Sequence, residues 1–138
     1  MNKDVKVCIK GLHENESESS DVGIEVAGQY YLKGNKHYIC YEEISEEAEE
    51  ITRSIIKISK DKVEVIKKGA GATHMEFIKD CKNSTYLSTI VGKILVGIDT
   101  KSLEIVEKED EINVKIEYGL LMDNEKVSDC NVEIRIWS

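Results

Sequence analysis

The sequence predicts an all-β protein: one single-domain, antiparallel, mostly up-and-down β-barrel of about 8–10 strands. Three observations predict it. Apolar residues recur with period two along most of the chain. Short polar turn signals separate the runs. No segment carries a helical apolar stripe of ordinary length.

The elements follow in order. Val5, Val7 and Ile9 alternate with polar residues, and Val22, Ile24 and Val26 repeat the pattern. Between them HENESESSD, residues 13–21, reads as a solvated loop. The segment QYYLKGNKHYICYEE, residues 29–43, gathers four of the six tyrosines. Its Gly34-Asn35 is a two-residue hairpin signal. That turn sets Lys33 opposite Lys36, Leu32 opposite His37, Tyr31 opposite Tyr38, Tyr30 opposite Ile39 and Gly28 opposite Tyr41. Cross-strand partners share a face. Val26, Tyr30, Leu32, His37, Ile39 and Tyr41 are therefore predicted inward, with Tyr31 and Tyr38 as an outward pair. SEEAEEITR, from Ser45, reads as an acidic loop, because like charges such as Glu46 and Glu50 oppose a helix.

Further runs place Ile56 with Ile58, Val63 with Val65, and Met75 with Phe77. Ile94, Val96 and Ile98 form one run, Leu103 and Ile105 another. Ile112, Val114, Ile116 and Tyr118 follow, then Val132, Ile134 and Ile136. Turn signals after the tyrosine hairpin are Lys60-Asp61, Gly69-Ala70-Gly71, Lys82-Asn83, Glu109-Asp110 and Asp123-Asn124. Strands with one apolar face must close on themselves or pack as two sheets, and closure removes exposed edges. The connections are local, which favours a barrel over the alternative, a β-sandwich.

Composition narrows the function classes. The chain has 138 residues, suiting one domain over residues 1–138. Its net charge of −8 opposes nucleic-acid and anionic-membrane partners. The first residues lack a signal-peptide core, and no apolar run is long enough for a membrane helix, so a cytoplasmic location is expected. The four cysteines are widely spaced and form no C-x-x-C pair. In a reducing compartment they act as small hydrophobes.

The segments YYLKGNKHYICYEE, SIIKISKDKVEVIKKGA with MEF after it, and STYLSTIVGKILVGIDTKSLEI occur in an order that resembles the YwiB-like family of small bacterial proteins. The likeness runs from Val5 to Ile136. It implies a calycin-like, lipocalin-type barrel and brings no activity, cofactor or catalytic residue with it. The early G-x-W of lipocalins has no counterpart here, the only tryptophan being Trp137.

Chemistry-bearing residues are sparse. The histidines His13, His37 and His74 lack the paired spacings of a zinc site, so no metal is expected. No G-x-S-x-G elbow is present. Cys40 has no base fixed beside it by local spacing. Gly69-Ala70-Gly71-Ala72 after Lys67-Lys68 leads into a strand pattern and lacks the ending of a phosphate loop. Asp99 suits a turn with Thr100 or Ser102.

The expected function is accordingly non-enzymatic and needs no cofactor. A small apolar ligand could bind in the barrel interior, where the candidate lining residues are Tyr30, His37, Tyr41, Phe77, Tyr86 and Tyr118. The alternative is a structural or protein–protein interaction module with a side-chain-filled barrel. The sequence leaves monomer and homodimer open.

Overall fold

In a computed structural model, residues 3–11, 23–44, 51–68, 73–89 and 92–138 are described. The loop readings at residues 13–21, 45–50 and 69–72, and His13, lie outside them. Among the described residues ten strands are present: β1 (Asp4–Lys10), β2 (Gly23–Lys33), β3 (Lys36–Ile44), β4 (Ile51–Ile58), β5 (Lys62–Lys68), β6 (Thr73–Ile78), β7 (Lys82–Thr89), β8 (Gly92–Lys108), β9 (Glu111–Met122) and β10 (Glu125–Trp137). Each pairs antiparallel with its successor, and β1 pairs with β10, so the sheet closes into a barrel. Closure of this kind removes the free edges of an open sheet.

The tyrosine hairpin has the predicted register, from Gly28 opposite Tyr41 to Lys33 opposite Lys36. Gly34 sits in the turn at φ 60°, a left-handed conformation that favours glycine. Asp123 and Asn124 close the β9–β10 hairpin, both at positive φ as a primed turn requires.

The period-two pattern becomes the core. Val7, Ile39, Ile56, Val63, Phe77, Ile98 and Ile136 have 0% exposure. A void wide enough for water would leave part of its wall accessible, so these side chains fill the middle of the barrel. Phe77 and Tyr118 come from non-adjacent strands, with ring centroids 4.9 Å apart. Such tilted aromatic pairs add to the value of their burial.

Four expectations change. Leu32 shares a face with His37 but is 60% exposed, because it lies at the hairpin tip, beyond the rim of the core. Ile51-Thr52-Arg53, at the end of the predicted acidic loop, belongs to β4, drawn into the ladder opposite Ile44, Glu43 and Glu42. The two runs around Asp99 form one strand, β8. A bulge at Lys101 shifts the register between Thr100 and Ser102, so Ile98 and Leu103 face inward despite opposite parity. The turn expected at Lys82-Asn83 falls earlier, at Lys79–Asp80, where Asp80 takes φ 58°.

The β6–β7 seam is thinner than the others. Its one registered pair is Thr73 with Leu87. Side chains bridge the rest: Asn83 Nδ2 donates to the Glu76 carbonyl at 3.1 Å, and Thr85 Oγ1 to the His74 carbonyl at 2.5 Å.

Candidate functional site

The β2–β3, β4–β5 and β8–β9 turns gather at one mouth of the barrel. His37 is in the cross-strand row Leu32, His37, Ile58, Val63, Phe77, which aims its ring at the interior. Glu107 continues the inward parity of Leu103 and Ile105 on β8 and stands opposite Ile112. The two meet side chain to side chain: His37 Nε2 contacts Glu107 Oε1. On the other side of the imidazole, Nδ1 is 2.6 Å from the Tyr30 hydroxyl. A carboxylate only accepts, so Nε2 carries the proton, and in the neutral ring Nδ1 accepts from Tyr30. Burial, then the charge of Glu107, raises the Tyr30 hydroxyl above its ordinary value. The three groups form a side-chain hydrogen-bond chain, Tyr30 to His37 to Glu107, across the mouth.

Beside it lies a pocket of about 270 Å³. Ile105, half-buried, gives it an apolar floor, and Ile58 lies almost wholly covered at its edge. Asn35, Ser59, Lys60, His37 and Glu107 give it a polar rim. A wider concavity of about 560 Å³ lies on the outer wall, where Lys10, Glu25, Lys115, Glu133 and Trp137 alternate in sign and polarity. Its Arg135 guanidinium stacks 4.7 Å from the Trp137 ring.

The interior candidates separate into three environments. Tyr30 and His37 are at the mouth. Tyr41, Phe77 and Tyr118 are in the packed core. Tyr86 is a correction: it is 59% exposed and paired with the exposed Leu95. On β7 the inward parity belongs to Thr85 and Asn83, opposite Val96 and Ile98. With Leu87 beside Tyr86, parity in STYLSTI was ambiguous until β8 fixed the register.

The predicted outward pair is confirmed, Tyr31 standing opposite Tyr38. Lys3 and Lys57 ammonium groups cover the two rings at 5.5 and 5.7 Å. Cys40 also lies on this face, half-buried and free.

Towards the opposite end the interior turns polar. Tyr41 Oη, Ser54 Oγ and Thr100 Oγ1 are buried without hydrogen-bond geometry to any described group. Burial, then the charge of Glu43, pushes the Tyr41 hydroxyl well up, while the neighbouring Ser54 hydroxyl pulls it down.

Sequence reasoning passed over Glu107 and Glu43, and weighed Lys67 only beside the Gly69-Ala70-Gly71 segment. The signal was available: each is a charge on the apolar parity of its strand, after Ile105, Tyr41 and Val65 respectively. It weighed His74 as an isolated histidine and passed over Glu76, two residues on and on the same outer face. There His74 Nε2 lies 2.9 Å from Glu64 Oε2 and 3.5 Å from Glu76 Oε1.

Among the described residues no helix is long and apolar enough to cross a membrane. A family profile described as "Domain of unknown function (DUF1934)" matches residues 7–134. The uncharacterised β-barrel protein YwiB of Bacillus subtilis (strain 168) is 23% identical over 122 residues, 88% of this chain and 84% of that protein. The crystal structure of the ywiB protein from Bacillus subtilis superposes with a TM-score of 0.80 at 21% identity, covering 99% of this chain and 92% of that one. At that identity the likeness speaks for the fold.

Proposed function

The chain belongs to the DUF1934 family, and from that premise we propose that it is a non-enzymatic binding protein whose ligand sits at the barrel mouth, not in the barrel's centre. The observation that carries this reading is the pocket floored by Ile105 and walled by His37 and Glu107. An apolar floor with a few convergent polar groups is the usual make-up of a small-molecule site. The core behind it is filled by Val63, Phe77 and Ile98, leaving an apolar guest no deeper room. The volume, about 270 Å³, is at the small end for a ligand pocket and suits a small molecule. Its apolar part would rest on Ile105, and a hydrogen-bonding group would meet His37, Ser59 or Lys60.

Native mass spectrometry on protein purified rapidly from cells tests it, alongside Ile105→Trp, which fills the floor. An adduct present in the wild type, absent from folded Ile105→Trp and retained by the outer-wall variant Tyr86→Ser supports the reading. An adduct that survives Ile105→Trp overturns it.

A second reading is a protein-interaction module. The exposed Tyr86 and Leu95, 59% and 52% accessible, form an apolar cross-strand pair on the outer wall. A partner lost on Tyr86→Ser, with no mouth adduct, would favour it.

A further inference from the structure

We propose that Glu64, His74 and Glu76 form a binding site for one divalent transition cation of the zinc or cobalt class, on the outer wall across β5 and β6. The inference is independent of the mouth pocket.

The site is built by the ladder. Glu64 stands directly opposite Glu76, and His74 is two residues before Glu76 on the same face. Like charges directly opposite destabilise an antiparallel pair. Here a third group converges on both: His74 Nε2 is 2.9 Å from Glu64 Oε2 and 3.5 Å from Glu76 Oε1. One imidazole nitrogen cannot satisfy two carboxylates with a single proton. One ion at the meeting point could bind all three. Donors bound to a common zinc at about 2.0–2.2 Å stand about 3.0–3.5 Å from one another. The three donor atoms lie within 4.8 Å of one another. Small side-chain rotations would close the set, while the β5–β6 register, continuous from Lys62 opposite Ile78 to Lys67 opposite Thr73, holds the backbone.

The donor set selects the cation. One imidazole with two carboxylates suits zinc, cobalt, nickel or copper, whereas magnesium and calcium take oxygen alone. Three protein ligands leave a coordination position for water.

Lys62 is the competitor. Its ammonium is 3.3 Å from Glu64 Oε1 and 3.6 Å from Glu76 Oε1. It neutralises the carboxylates in the cation's place but leaves Glu64 Oε2 and His74 free of it. A binding cation must therefore displace or repel Lys62. An ordinary ion-pair cluster makes the opposite prediction, since Lys62 is then its main support.

Full-length protein titrated with Co²⁺, read by visible absorption, tests the site, with Zn²⁺ as displacer. One Co²⁺ per chain is expected, without the thiolate-to-cobalt band that binding at a cysteine would give. Glu64→Gln and His74→Gln should each weaken binding by more than the roughly 10–100-fold that loss of an outer-shell partner costs. Glu76→Gln is a third arm, should either fail to fold. Lys62→Met should tighten binding on the order of tenfold. The proposal is overturned by no saturable Co²⁺ binding in the wild type, by a thiolate band, by affinity indifferent to the Glu64 and His74 substitutions, or by Lys62→Met binding no tighter than wild type.

Discussion

His37 and Glu107 join opposite walls of the barrel. They lie on β3 and β8, which have four strands between them whichever way round the ring is followed. Neither strand touches the other through backbone, so this side-chain bridge spans the full width of the mouth. Tyr30 braces it from β2 through His37 Nδ1.

The bridge has a spectroscopic consequence. Burial and the Glu107 charge together raise Tyr30. Glu107→Gln removes the second cause and leaves the first. The Tyr30 hydroxyl should then titrate at lower pH than in the wild type, still above 10.0. An NMR pH titration of tyrosine ring carbons checks this, and a Tyr30 midpoint unmoved by the substitution would refute the contact.

Tyr41 should govern alkaline stability. Its folded-state value lies well above the ordinary 10.0. With the folded value raised, its contribution is fully present below pH 10.0 and is lost as pH climbs towards the folded value, because the unfolded chain releases the proton first. Tyr41→Phe should flatten that decline. Near neutral pH it should change stability by no more than about 1 kcal/mol, since the hydroxyl lost is buried without hydrogen-bond geometry to any described group. Denaturant melts of both proteins from pH 7 to 11 give the two slopes.

Phe77 is the largest side chain with no exposed surface, and it packs on Tyr118. Phe77→Ala should cost about 3–5 kcal/mol. A much smaller loss in urea unfolding would mean that the interior is looser than its burial indicates.

Gly28 lets Tyr41 into the core. A Cβ there would stand 2.9 Å from the Cys40 carbonyl oxygen and 3.2 Å from Val7 Cγ2. Gly28→Ala should destabilise by about 1–3 kcal/mol through overpacking. Gly92 offers the contrast: a Cβ there would meet no described atom within 4 Å, though its φ of 118° adds backbone strain to any substitution.

The β6–β7 seam should open first. Amides on β6 that face β7 are expected to exchange hydrogen faster than those between β8 and β9, where the pairing runs from Gly97–Leu121 to Lys108–Glu111. Thr85→Val removes the bridge to the His74 carbonyl and should widen the difference. Equal protection at both seams would show that the side-chain bridges match a full ladder.

The barrel was legible because alternation is a local property. Val5, Val7 and Ile9, or Ile112 to Tyr118, show their buried face without reference to any other strand. The tyrosine hairpin was legible for the same reason: a two-residue turn fixes its register. Parity failed where a bulge reset it at Lys101, and where both faces of a strand carried apolar residues, as at Tyr86 and Leu87. Tertiary structure alone decided which residues meet across the lumen and across the wall. His37 and Glu107 are 70 residues apart, and Glu64 and His74 are 10 apart on neighbouring strands. Their encounter depends on ring closure and ladder register, which arise from all ten strands together. The sequence by itself determined the strands and their buried faces, because period-two burial needs only neighbours. The sites depended on the closed ring, because their groups come from strands that local pattern cannot relate.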